Sequence, residues 1–125
     1  AMVSNQRGGD DAFGPAGLFD DHMETYWATD DTVRSASVIV DLPAGQTFNV
    51  IRLNEPIHLG QRVRAYRVEA EGDGQWSTLV EGTTIGYRKL DRIATTTAGR
   101  LRITLLDARG CPLLAGFGLY LDTAL

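Results

Sequence analysis

Apolar and polar residues alternate along most of this chain with a period of about two residues. In residues 37–42, for example, Val38, Val40 and Leu42 fall on one face. This alternation predicts strands at residues 37–42, 48–53, 65–70, 75–80, 87–93, 101–106 and 117–121. The run Gly72-Asp73-Gly74 is typical of a hairpin turn, and a single turn is the most helix expected in residues 10–19. Short strands separated by Gly-rich turns predict an all-β sandwich.

Length and net charge limit the number of domains and the classes of partner that the chain can have. The 125 residues are expected to form one domain, 1–125, of which Ala1 and Met2 are interpreted as a cloning remnant. No signal peptide precedes them, so the chain reads as an excised domain. The net charge of −4 argues against nucleic acid or an anionic membrane as the main partner. The one cysteine, Cys111, rules out an internal disulfide and is interpreted as a bystander thiol.

The pattern of reactive residues argues against catalysis by this chain alone. Its histidines, His22 and His58, lack metal-ligand spacing, and no nucleophile elbow or phosphate-binding loop is present. The acidic turn at residues 17–30 is more informative, because a carboxylate at Asp20 and a hydroxyl at Thr25 suit Ca²⁺. A polar turn leading into a buried Trp27 explains the same residues equally well. Trp27 and Trp76 are both expected in the core.

The order of these features resembles the discoidin-type domains, which include the coagulation-factor C domains and carbohydrate-binding module family 32. The resemblance rests on Gly17-Leu18-Phe19-Asp20, Thr25-Tyr26-Trp27, Gly60-Gln61-Arg62-Val63, Gln75-Trp76 and Gly116-Phe117-Gly118-Leu119-Tyr120. The runs 53–63, 25–31 and 82–86 are most similar to the C-terminal appendage of family 29 α-L-fucosidases. The resemblance implies an eight-stranded antiparallel jelly-roll β-sandwich of the galactose-binding-domain type.

The resemblance also implies one structural Ca²⁺. Its ligands would be the Asp20 carboxylate, the Thr25 hydroxyl and carbonyl, and the backbone carbonyls of Gly17, His22 and Ala115. Two departures from the family pattern weaken this expectation. Asp21 stands where a glycine is usual, and Gly116 stands where a glutamate ligand is frequent. A metal-free turn held by hydrogen bonds is the alternative.

In discoidin folds the ligand binds on loops at one end of the sandwich, here residues 9–14, 55–62 and 83–88. The expected ligand-binding residues are Glu55, His58, Arg62, Tyr87, Arg88 and Phe13. A carboxylate and a guanidinium can grip adjacent sugar hydroxyls, and an aromatic ring can pack against the C–H face of a sugar. Arg62 could instead pair with Glu55 merely to brace its loop.

The resemblance therefore predicts a non-catalytic accessory domain of a secreted α-L-fucosidase-like hydrolase whose catalytic barrel is absent from this chain. The expected partner is a terminal galactose- or fucose-type glycan. The alternative is a structural module that docks on the catalytic barrel and binds no sugar. We expect a monomer that is secreted, periplasmic or displayed on a bacterial cell surface, with neither nucleic acid nor a membrane as partner.

Overall fold

The computed structural model describes residues 2–19, 26–56 and 59–123, apart from the side chain of Pro43. Within these ranges the chain forms antiparallel β structure with short 3₁₀ turns near its N-terminal end. The strands are β1 (Met2–Val3), β2 (Trp27–Ala28), β3 (Ala36–Asn54), β4 (Val63–Gly72), β5 (Gln75–Gly82), β6 (Lys89–Ala108), β7 (Leu113–Leu114) and β8 (Gly116–Tyr120). The 3₁₀ turns are Arg7–Gly9, Asp11–Phe13 and Pro15–Leu18. The predicted eight-stranded all-β fold is confirmed for the described part of the chain.

Strands β3 and β6 form the long spine of the sheet. The described strands pair in the order β1-β3-β6-β4-β5, with β8 added to β3, while β2 and β7 pair separately. Register between β3 and β6 is interrupted between Asp41 and Gln46. There Ala44 and Gly45 have φ values of 63° and 75°. This left-handed backbone bends β3 without ending it, so one strand contributes to both layers of a curled sheet.

Each half of the bent strand faces a different part of β6 and a different neighbour. Residues 36–41 pair with 100–105, next to β4, whereas residues 46–53 pair with 89–98. Strand β8 joins this second half through pairs from Val50↔Tyr120 to Asn54↔Gly116. The strands predicted separately at 37–42 and 48–53 are thus parts of the continuous strand β3. Those predicted at 87–93 and 101–106 are likewise parts of β6.

The core lies between the two halves of the curled sheet and is built from alternate strand positions. Period-two spacing turns every second side chain inward, as predicted. Trp27 is fully buried there and its Nε1–H donates to the Asn5 carbonyl at 2.8 Å. The other large side chains with less than 2% exposure include Tyr66, Phe48, Leu18, Ile51, Leu53, Leu101, Ile103, Leu105 and Leu114.

Tyr66 is buried against a glycine of the neighbouring strand. It lies directly opposite Gly82, and its ring occupies the space where a side chain at Gly82 would stand. The Tyr66 hydroxyl donates to Asp91 Oδ2 at 2.6 Å. Burial, followed by this hydrogen bond, raises the pKa of Tyr66. The missing side chain of Gly82 is therefore what admits the aromatic ring.

Trp76 does not join the core, and here the prediction was wrong. Its side chain is only partly buried on the outer surface of the sheet, with the Arg102 guanidinium 4.4 Å from the ring centroid. Arg102 Nε donates at 2.9 Å to Glu69, which is 7% exposed. The hydrogen bond from Arg102 lowers the pKa of Glu69. A cation–π stack above an ion pair takes the place of apolar burial.

The 3₁₀ turns replace the single helical turn expected in residues 10–19. The Asp10 carboxylate accepts from the Ala12 N–H at 2.9 Å and so caps the turn Asp11–Phe13. Among the described residues, helix is confined to such short turns, and none of it has the length or apolarity to cross a bilayer.

Candidate ligand-binding loops and their support

Two of the three loops predicted to bind ligand, 55–62 and 83–88, lie at one end of the sandwich. Strand β3 ends at Asn54 and β6 begins at Lys89, beside the Leu53↔Lys89 pair. Strand β5 ends at Gly82 opposite Tyr66, near the start of β4. The Glu55 carboxylate accepts from the N–H groups of both Arg62 and Gly86, so loops 55–62 and 83–88 lie at the same end of the sandwich.

Glu55 lies inside these loops rather than on their surface. Its side chain is 1% exposed. Oε1 accepts from the backbone N–H groups of Arg62 and Val63 at 2.8 and 3.0 Å, and Oε2 accepts from Gly86 N–H at 2.8 Å. This differs from the predicted role as a sugar acceptor, because both carboxylate oxygens are shielded and engaged by the backbone.

The Arg62 guanidinium is also turned inward. Its Nη1 donates to the Cys111 carbonyl at 3.3 Å and to Cys111 Sγ at 3.0 Å. Arg62 therefore braces its loop as the alternative interpretation expected, but it reaches Glu55 through its backbone N–H and not through an ion pair. This orientation differs from the predicted one, in which the guanidinium gripped sugar hydroxyls.

Cys111 is the meeting point of two arginines. The thiol is 4% exposed and accepts from Arg7 Nη2 at 2.9 Å as well as from Arg62. Arg7 Nη2 also lies 2.7 Å from Asp31, and this hydrogen bond raises the pKa of Arg7. The neighbouring Asp30 accepts from the Gly8 N–H, which lowers the pKa of Asp30. The thiol is thus part of the scaffold that ties the N-terminal turn to the 55–62 loop.

Tyr87 is the exposed aromatic residue on these loops. Its side chain is 61% exposed, and the adjacent Arg88 is exposed as well. The loop beneath it is held by Asn54 Nδ2, which donates to the Tyr87 carbonyl at 2.7 Å, and by the Glu55 N–H, which donates to the Gly86 carbonyl at 2.9 Å. Tyr87 and Arg88 are therefore presented to solvent from a backbone that is hydrogen-bonded on the inner side.

Phe13 is less available than Tyr87. Its ring packs against Tyr26 with centroids 6.0 Å apart, beside the small buried cluster of Ala28, Cys111 and Leu113. His58 lies outside the described residues. The predicted set is therefore divided: Tyr87 and Arg88 face solvent, whereas Glu55, Arg62 and Phe13 support the loops.

A cleft of about 340 Å³ lies elsewhere, between the bend of β3 and β8. Its lining is mainly apolar, from Val40, Leu42, Phe117 and Leu119, with Asp41 and Gln46 as polar groups. Of the predicted ligand-binding residues that the structure describes, none lines this cleft.

The predicted calcium ligands fall partly outside the structure. Asp20, His22 and Thr25 are not among the described residues, whereas Gly17 and Ala115 are. The turn carrying Gly17 contacts β8, and Phe19 packs edge-on against Phe117 with centroids 6.2 Å apart. The segments that would supply the two carbonyls are therefore neighbours, which fits a shared ion. The described ranges contain no cluster of three or more His, Cys, Asp or Glu side chains arranged for a metal.

Local packing explains the glycine at position 116 without reference to a metal. A Cβ at this position would stand 2.7 Å from Asn54 Oδ1, the side chain that also supports the Tyr87 loop. A glutamate here would displace Asn54. The glycine at position 116 therefore leaves room for the Asn54 side chain, which supports the 83–88 loop, and for the same reason a glutamate ligand does not fit there.

A family model for the F5/8 type C domain matches residues 1–116. The chain belongs to the F5/8 type C domain family. It is 38% identical over 123 residues to a protein of Oryza sativa subsp. japonica that is assigned as an α-L-fucosidase, covering 97% of this chain and 24% of that protein. It is also similar to a family 29 glycoside hydrolase fucosidase of Ruminococcus gnavus solved in complex with fucose, with 39% identity and a TM-score of 0.89. That match covers 97% of this chain and 25% of the fucosidase chain.

The fold also has neighbours outside the fucosidases. A chitosan-binding module from a Paenibacillus sp. IK-5 chitosanase/glucanase has a TM-score of 0.81 at 23% identity, over 95% of this chain and 92% of that one. At this identity the likeness concerns the fold alone. The present chain spans about a quarter of the length of its fucosidase relatives. The part of the chain that the family model matches, residues 1–116, is an F5/8 type C domain.

Proposed function

We propose that this F5/8 type C domain is a carbohydrate-binding accessory module of an α-L-fucosidase-type glycoside hydrolase. The ligand is a terminal galactose- or fucose-type glycan, bound where the 83–88 and 55–62 loops meet. The module raises the local concentration of the enzyme on its substrate. The parent is a secreted, periplasmic or cell-surface bacterial enzyme, and the domain acts as a monomer within it.

The observation that carries this proposal is the exposed Tyr87 on a loop whose backbone is fixed from within. A rigid aromatic face can pack against the C–H face of a sugar at little entropic cost. Arg88 beside it offers several N–H donors for hydroxyl groups. The relatives support the assignment, since they are α-L-fucosidases and one was solved with fucose.

The test is an NMR titration of the domain with fucose, galactose and N-acetyllactosamine. Saturable shifts at Tyr87 and Arg88 are expected. Tyr87→Ala should weaken binding about tenfold, because an aromatic contact contributes about 0.5–1.5 kcal/mol beyond its buried area. Tyr120→Ala is the matched control, since Tyr120 is also exposed, at 42%, but lies on β8. No shift at tens of millimolar sugar would remove the binding proposal.

Docking on the catalytic barrel is the second candidate. It is favoured by the exposed Leu90, at 50%, only three residues from Tyr87, because a sugar site has little use for an aliphatic side chain there. On this alternative the sugar titration produces no shifts, and the exposed Tyr87 and Leu90 become buried when the domain is joined to its catalytic partner.

One structural Ca²⁺, held by the residues expected from the sequence, remains part of the proposal. Such an ion would join the first loop to the start of β8 and stabilise the folded state by mass action. The same titration repeated with Ca²⁺ and with EDTA tests it. Calcium-dependent shifts at Gly17 and Ala115, with a rise in the melting temperature, are expected. Spectra and melting curves that are identical in both conditions would contradict it.

A further inference from the structure

The Glu55 carboxylate touches both loops of the proposed site. Through Oε1 it holds two consecutive N–H groups, at Arg62 and Val63, where the first loop returns to the sheet. Through Oε2 it holds Gly86 of the second loop. A single side chain therefore sets the distance between two loops that are separated by a strand pair in sequence.

The geometry on each side is made for a carboxylate. Gly60 and Gly86 have φ values of 90° and 70°, a backbone conformation that residues with a side chain rarely adopt. The three N–H groups converge on one negative charge in a buried site, where charge-assisted hydrogen bonds are strong. Glutamine has the same shape but only one acceptor oxygen, and its NH₂ group would face a further N–H donor.

We infer that Glu55 is a positioning residue for glycan binding: its carboxylate locks the 83–88 loop to the end of the 55–62 loop and so fixes where Tyr87 and Arg88 stand. It acts through the backbone and touches no ligand. This inference rests on the proposed function, but the coupling of the two loops can be measured without any sugar.

The experiment compares wild type, Glu55→Gln and Val68→Ala. Val68 is fully buried in the core, away from the loops, so its truncation supplies a control that loses stability without altering Glu55. Amide spectra and hydrogen exchange are recorded for each protein, followed by titration with the sugar that binds wild type. Denaturant unfolding verifies that both variants are folded and compares their stabilities.

In Glu55→Gln the amide signals of residues 83–88 should move, and the Gly86 N–H should exchange at least tenfold faster relative to core strand amides. The sugar dissociation constant should rise at least tenfold. Val68→Ala should leave loop signals and affinity within twofold of wild type.

Two results would overturn the inference. One is a Glu55→Gln variant with unmoved 83–88 signals and unchanged Gly86 exchange. The other is a variant in which these signals move and the sugar affinity stays at the wild-type value. If wild type binds no sugar, the proposed function fails, and the amide exchange alone decides whether Glu55 couples the loops.

Discussion

Replacement of Gly82 by alanine tests how tightly Tyr66 fills the interior. A Cβ at position 82 would stand 2.5 Å from Cζ and the hydroxyl oxygen of Tyr66, and 2.6 Å from Cε1. These distances are far below van der Waals contact. Because the ring is fully buried and its hydroxyl is tied to Asp91, it cannot swing into solvent without losing both packing and the hydrogen bond.

The magnitude follows from three contributions. Overpacking a filled site costs about 1–3 kcal/mol. Losing a hydrogen bond to a charged group costs about 1.5–3 kcal/mol. Alanine recovers about 0.5–1 kcal/mol in a strand, because glycine loses more backbone entropy on folding. The net loss for Gly82→Ala is therefore about 1.5–5.5 kcal/mol, a large share of the roughly 5–15 kcal/mol that stabilises a domain.

Urea unfolding of four proteins gives the answer: wild type, Gly82→Ala, Tyr66→Phe and the double variant. If the alanine acts by displacing the tyrosine from Asp91, Gly82→Ala should cost at least about 1 kcal/mol less on the Tyr66→Phe background. Gly99→Ala is the control, because its Cβ would meet nothing within 4 Å. A Gly82→Ala variant within about 0.5 kcal/mol of wild type would refute the reasoning.

Two further substitutions test the loops and the outer surface. Gly86→Ala should cost about 1–2 kcal/mol in urea unfolding, although its Cβ meets nothing within 4 Å, because φ is +70° there; a cost equal to that of Gly99→Ala would contradict this. Arg102 lowers the pKa of Glu69 in the folded state from its ordinary value of 4.5, so the ionised form stabilises the fold above that pH. This contribution is lost as pH falls below 4.5 through the folded-state pKa. In Glu69→Gln the urea midpoint should therefore fall less steeply between pH 5 and pH 3 than in wild type. Curves that fall in parallel for the two proteins would count against this.

Alternation of apolar residues located the strands but not their continuity. The sequence predicts a strand that ends at Leu42, because Pro43 and Gly45, which follow it, interrupt regular pairing. In the structure the left-handed backbone at Ala44 and Gly45 bends β3, and pairing with β6 resumes at Gln46. Whether a turn ends a strand or bends it depends on the partner strand, which local sequence does not contain.

Trp76 shows why size and pattern were insufficient for burial. The alternation in residues 75–80 identifies two faces, and the large indole made its own face look like the inner one. The decisive partners, Arg102 and Glu69, come from other strands. Their pairing gives the ring an apolar and electrostatic contact on the outer surface.

Glu55 was predicted as a ligand acceptor, with an ion pair to Arg62 that braces the loop as the alternative. A glutamate on a loop suggests an acceptor for ligand, since sequence does not show which way backbone N–H groups point. Here the N–H groups of Arg62, Val63 and Gly86 point at it. Tyr87 was predicted as a ligand-binding residue from the same loop pattern, and its exposure keeps that prediction open to test.

The bend in β3 also has a mechanical consequence. Strand β1 is attached to the first half of β3 at Val38 and Ile39, and β8 is attached to the second half from Val50 onward. A pull applied between the two flanks of the domain would therefore run along one covalent strand that crosses both layers. Both halves of β3 also pair with β6, so we expect the two layers to unfold together. We expect the domain to resist tension and proteolytic nicking as one unit, and to yield in a single step.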